Sequence, residues 1–80
     1  MTLQILAFGI IKEIFGGPSV ELELAPGSTA ADLRTVLEQR YPRLQQLASC
    51  LLAVNNEYAS ADQPVGEGDE IAVIPPVSGG

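Results

Sequence analysis

One stretch constrains this chain more than any other. "PGSTAADLRTVLEQRYP" reads as an amphipathic helix, and both of its ends are marked. Thr29 stands as N-cap, and Asp32, three residues on, completes the pattern of a capping box. Asp32 also meets the positive end of the helix dipole, and Arg40 lies near the negative end. Leu33, Val36, Leu37 and Tyr41 recur at helical spacing and form one apolar stripe, and Pro42 stops the run. One main helix cannot cover both faces of a sheet. The strands around it must therefore form two layers with it, the helix on one face.

The flanking sequence supplies those strands. "TLQILAF" (Thr2–Phe8) is short and rich in β-formers. "GIIKEIFGG" follows as a short irregular or helical turn, and "FGGPS" suits a hairpin connection. In "SVELELA", Val20, Leu22 and Leu24 face one way and Glu21 and Glu23 the other, as in a half-buried strand. After the helix, "RLQQLAS" adds a turn through Leu44 and Leu47. "CLLAVN" reads as a strand, "NEYASADQPVGEGDE" as loop, and "EIAVIP" as the last strand, stopped by Pro75 and Pro76. In "GEGDEI", Gly66 or Gly68 is expected to take a left-handed turn conformation. The order strand, strand, helix, strand, strand predicts an α+β, β-grasp (ubiquitin-like) domain. Its mixed sheet has four to five strands, the first pair antiparallel. The expected division is a domain over 1–74 and a tail over 75–80.

Length makes the aliphatic core essential. A chain of 80 residues buries only about 60–65% of its unfolded surface. There is one cysteine, Cys50, and no histidine, so neither an internal disulfide nor a zinc site is available. Cys50 reads as a small buried core residue suited to a reducing compartment. "MTLQILAFGIIKEIF" lacks a basic start and is interrupted by Lys12 and Glu13, so it reads as neither signal peptide nor membrane span. A cytoplasmic location is expected.

Net charge is −6, and all four basic residues (Lys12, Arg34, Arg40, Arg43) precede Leu44. Nucleic-acid binding is disfavoured, because phosphate neutralisation needs clustered Lys and Arg. The acidic second half suits a basic protein surface. One face of the sheet should also keep apolar side chains in the open. Leu3, Ile5 and Ala7 cannot share the helix side with Leu6 and Phe8. An apolar patch near the last strand is expected to mark a binding site.

Catalytic sets are missing. Without histidine there is no Ser-His or Cys-His pair, and the ten carboxylates are spread over turns and strand faces. "GEGDEI" has two of the glycines of a dinucleotide loop but leads into a strand, so it is not one. What remains is the ending "IPPVSGG". Pro75 and Pro76 cannot extend a sheet ladder and favour an extended arm; Val77 and Ser78 give reach. Gly79 and Gly80 have no Cβ, so they fit a channel too narrow for other residues. The reactive group at the tip is the Gly80 carboxylate, an unhindered target for activation by ATP on another enzyme.

A β-grasp domain with this ending resembles the ubiquitin-like sulfur carriers. "GDEIAV" followed by "IPPVSGG" is more similar to the small subunit of molybdopterin synthase than to the thiamin sulfur carrier. "FGIIKEIFG" (Phe8–Gly16) and "LLAVN" (Leu51–Asn55) fit that family too. Lys12 stands where the family often has Arg, keeping the charge without the bidentate geometry.

The resemblance implies that an ubiquitin-activating-like adenylyltransferase activates Gly80, and that a sulfur donor system converts it to a thiocarboxylate. Pro75, Pro76, Val77, Ser78 and Gly79 would then thread into the large synthase subunit, where sulfur passes to cyclic pyranopterin monophosphate. It also implies a partner surface at Phe8, Lys12, Glu13, Asp69 and Glu70. No stably bound cofactor and no metal are expected, ATP being used by the activating enzyme. Sulfur carriage for thiamin or another thio-metabolite, protein modification through Gly80, and a plain binding module remain open alternatives.

Overall fold

The computed structural model describes residues 1–46 and 50–75. Five strands form one sheet in the order β2-β1-β5-β3-β4. They are β1 (Thr2–Ala7), β2 (Ser19–Glu23), β3 (Leu51–Val54), β4 (Glu57–Tyr58) and β5 (Ile71–Ile74). A short helix α1 (Ile10–Phe15) joins β1 to β2, and the main helix α2 (Ala30–Arg40) crosses one face. β1 pairs antiparallel with β2 and parallel with β5, while β3 is antiparallel to both β4 and β5. This is the two-layer arrangement predicted from a single long helix.

α2 is fixed at its start in the expected way. The Thr29 N–H donates to Asp32 Oδ2 (2.9 Å), and the Asp32 N–H donates to Thr29 Oγ1 (3.4 Å). Two further N–H groups of the first turn are occupied from far along the chain. Ala30 donates to the Gln63 carbonyl (2.8 Å) and Ala31 to that of Ala61 (2.9 Å). The loop after β4 therefore caps the start of the helix, and the free donors of its first turn are satisfied. Pro42 ends α2 as expected, and Pro42–Gln46 continue as a 3-10 turn that buries Leu44. Leu47, assigned to the same turn, lies outside the described residues.

The core lies between α2 and the sheet. Leu3, Ile5, Ile11, Leu22, Leu33, Leu37 and Ile71 are its fully buried large side chains. Phe15 and Tyr41 stack at its margin, with ring centroids 4.7 Å apart. Cys50 is buried, as expected, and belongs to the core.

The β1–β2 connection is as expected: "GIIKEIFGG" holds the short helix α1, and "FGGPS" leads from it into the antiparallel partner strand. Other expectations need correction. "NEYASADQPVGEGDE" is not wholly loop: Glu57 and Tyr58 pair with Val54 and Ala53 as β4. Neither Gly66 nor Gly68 is left-handed. Among the described residues the positive-φ glycines are Gly9, Gly16 and Gly27, joined by Asn55 (φ 54°) and Asn56 (φ 68°). The turn at Gly66 is instead held by a side chain, Asp69 Oδ2 accepting from the Gly66 N–H (2.8 Å).

Candidate docking face and tail root

β5 lies inside the sheet, between β1 and β3, and its residues alternate between two environments. Ile71 and Val73 face the helix and are buried. Ala72 and Ile74 point to the uncovered face. Register then builds rows across that face: Leu6, Ala72, Ala53 and Tyr58 are successive partners across four strands, and Leu51 opposes Ile74. Phe8, one residue past β1, joins them in lining a shallow depression with Ala53, Tyr58, Glu70, Ala72 and Ile74.

The apolar surface expected from the sequence is present and lies around the last strand. Phe8 is 46% exposed, Leu51 45% and Tyr58 71%, with Ile10 nearby in chain at 41%. The other half of the same face is polar, carrying Thr2 and Gln4 from β1 and Glu21 and Glu23 from β2. An apolar area of this kind, bounded by polar side chains, has the anatomy of a docking surface.

The predicted site residues do not form one cluster. Phe8 lies on the patch, and Glu70 lines its edge. Lys12 and Glu13 are exposed on α1. Asp69 is engaged within the chain, accepting from Gly66 N–H and from Asn55 Nδ2 (3.0 Å). Pro75 is half-buried against the β1–α1 connection: a Cβ added at Gly9 would stand 3.2 Å from Pro75 Cγ. Pro75, the last described residue, is thus held against the body of the domain. Pro76, Val77, Ser78, Gly79 and Gly80 lie outside the described residues.

Leu51, Tyr58 and Ile74 belong to the patch but were not singled out in the sequence. The alternation Leu51/Ala53 against Leu52/Val54 carried the signal for β3. Tyr58 needed the pairing with Ala53, which sequence spacing does not supply.

Among the described residues there is no group of three His, Cys, Asp or Glu placed to hold a metal. No described helix is long and apolar enough to cross a membrane. Burial pushes the Cys50 thiol above its ordinary value of 9.0, Arg34 lowering it and Glu38 raising it to a lesser degree. The thiol stays protonated at neutral pH, the opposite of what a nucleophilic cysteine requires.

Comparison with known proteins decides the family. The ThiS family model matches residues 5–80. The chain belongs to the ThiS family. The molybdopterin synthase sulfur carrier subunit of Dictyostelium discoideum is 44% identical over 81 residues, spanning 96% of this chain and 94% of that protein. SAMP1 from Haloferax volcanii superposes with a TM-score of 0.83 at 25% identity, each chain fully covered. A chain from the Helicobacter pylori complex of molybdopterin-converting factor subunits 1 and 2 superposes with a TM-score of 0.70 at 26% identity, again over both full lengths. The fold of this ThiS-family member is the β-grasp of the ubiquitin-like sulfur carriers, as expected from the order of its elements.

Proposed function

We propose that this chain is the sulfur-carrying small subunit of a molybdopterin synthase, not catalytic alone. The observation that carries the reading is the position of β5. The strand that leads to the tail leaves from inside the sheet, beside Phe8, Ala72 and Ile74. A partner seated on that patch receives the tail at the same place. The name of the Dictyostelium relative supports the substrate class, and the paired subunits of the Helicobacter complex support a large synthase subunit as the partner.

The proposed chemistry is that of the Gly80 carboxylate. A carboxylate oxygen attacks the α-phosphorus of ATP on an activating enzyme, and pyrophosphate leaves. A sulfide nucleophile from a donor system then attacks the acyl carbon, AMP leaves, and a thiocarboxylate remains. In the synthase its sulfur bonds to a side-chain carbon of the cyclic pyranopterin monophosphate as an oxygen substituent of that carbon departs, which leaves the pterin joined to Gly80 through an acyl–sulfur bond. Water cleaves the acyl–sulfur bond and restores the carboxylate. The carrier supplies placement, and side-chain catalysis belongs to its partners. Glu70 lines the edge of the docking patch, Lys12 and Glu13 on α1 are further proposed contacts, and Pro75, Pro76, Val77, Ser78 and Gly79 are the proposed arm.

Intact mass after incubation with the activating enzyme and sulfur donor tests this directly. The expected result is an oxygen-to-sulfur increment located at Gly80. Deleting Gly80 should leave the melting curve unchanged yet stop delivery, because the carboxylate falls about 3.5 Å short. A misplacement of about 1 Å already costs around 100-fold in rate. Normal delivery by the deletion variant would overturn the carrier reading. Transfer only to a thiamin precursor, or a ladder of lysine conjugates in cells, would replace it with one of the alternatives.

A further inference from the structure

We propose that Asn55 is a positioning residue for sulfur transfer: it fixes the start of β5, and through it the place from which the tail departs. The inference rests on the carrier reading above. Asn55 and Asn56 make the two-residue turn between β3 and β4, both with positive φ. Asparagine tolerates that conformation better than most residues, and a hairpin turn of this kind requires it twice. Conformation alone leaves the Asn55 side chain free, yet both its oxygen and its nitrogen are bonded. Its Oδ1 accepts from the Glu70 N–H (2.9 Å), and its Nδ2 donates to Asp69 Oδ1 (3.0 Å). Its own N–H donates to the Glu70 carbonyl (2.7 Å).

A single residue thus holds both backbone groups of Glu70, the residue before β5. The second oxygen of Asp69 accepts from Gly66, so the preceding turn is tied into the same network. The far end of β5 is bounded by the close approach of Pro75 to Gly9. Only four residues lie between these two points. The long irregular stretch before Glu70 would otherwise leave the strand's position along its own axis to ladder bonds alone. For a carrier whose reactive atom sits beyond that strand, axial position sets reach.

The test compares wild type, Asn55→Gly, Asp69→Ala and the double variant, each loaded as the thiocarboxylate. Glycine keeps the left-handed turn and removes only the side-chain bonds. Single-turnover sulfur transfer is measured against the concentration of the synthase large subunit. Amide hydrogen exchange is followed in parallel. Asn55→Gly is expected to lower the saturating rate about tenfold, by the sensitivity of near-attack geometry, with half-saturation unchanged. Exchange should quicken at Glu70 and Ile71 more than at the β1–β2 amides. The double variant should transfer no more slowly than Asn55→Gly, because the two residues act through one network.

A saturating rate within twofold of wild type overturns the positioning role, as does a loss confined to half-saturation. So does exchange that quickens evenly over the sheet, which would mark a general loss of stability. If the loaded wild-type carrier itself delivers no sulfur, the carrier reading fails first, and that result is distinct from any difference among the variants.

Discussion

The two faces of this sheet are made by the same strands and do different things. Toward α2, Leu3, Ile5, Leu22, Leu52, Ile71 and Val73 are buried and pack into one core. Away from it, Phe8, Leu51 and Tyr58 stand in solvent at 46, 45 and 71% exposure. The core face is satisfied within the chain. The open face is satisfied only where it is polar, along β1 and β2, and remains apolar around β5. A small domain has little apolar surface to spare, so leaving aromatic side chains in water points to a use outside the fold.

That contrast is most strongly tested on the core side. Leu33→Ala should destabilise the domain by about 2–5 kcal/mol, the usual range for a buried leucine. Thermal or denaturant unfolding measures it. A loss of less than about 1 kcal/mol would mean the helix is not the main cover of the sheet. On the open side the effects should reverse. Phe8→Ala should change stability by no more than about 0.5 kcal/mol. It should weaken binding to the synthase large subunit by about 10- to 100-fold, the range of a buried aromatic anchor. Calorimetry and a melting curve on the same variant separate the two effects, and a large drop in melting temperature would blur the distinction between the faces.

Two smaller effects sharpen it. Thr29→Ala removes the reciprocal cap of α2 and should cost about 1 kcal/mol in stability without altering partner affinity. Cys50 lies on the helix side, and burial raises its pKa. The folded state therefore holds the thiol proton at pH values where the unfolded chain has lost it. Its contribution is constant below the ordinary value of 9.0 and falls as pH rises above it. Unfolding measured from neutral to alkaline pH should show that slope, and Cys50→Ala should flatten it.

The sequence was most legible where a local pattern and the tertiary fold demanded the same residues. Thr29 and Asp32 announced the helix start because a cap is made within one turn. Glu21 and Glu23 revealed β2 because alternation survives at an edge strand. Legibility failed where structure depended on distant pairing. β4 is two exposed residues with no apolar rhythm, and only its contact with β3 makes it a strand. Residue type points to Gly66 or Gly68 as left-handed, but among the described residues the positive-φ positions are Gly9, Gly16, Gly27 and, in the β3–β4 turn, Asn55 and Asn56. "NN" between two short runs carried that signal. Phe8 was readable as a patch residue because it falls out of phase with Leu3, Ile5 and Ala7. Tyr58 was not, since its neighbours come from across the sheet.

The interior location of β5 also has a mechanical consequence. A pull on the chain beyond Ile74 acts along the strand, and β1 and β3 grip it from opposite sides. The load is shared in shear by two ladders at once. An edge strand peeled sideways would instead lose its bonds one after another. On the carrier reading proposed above, a partner drawing the chain beyond Pro75 toward itself would pull against both of these ladders rather than against one.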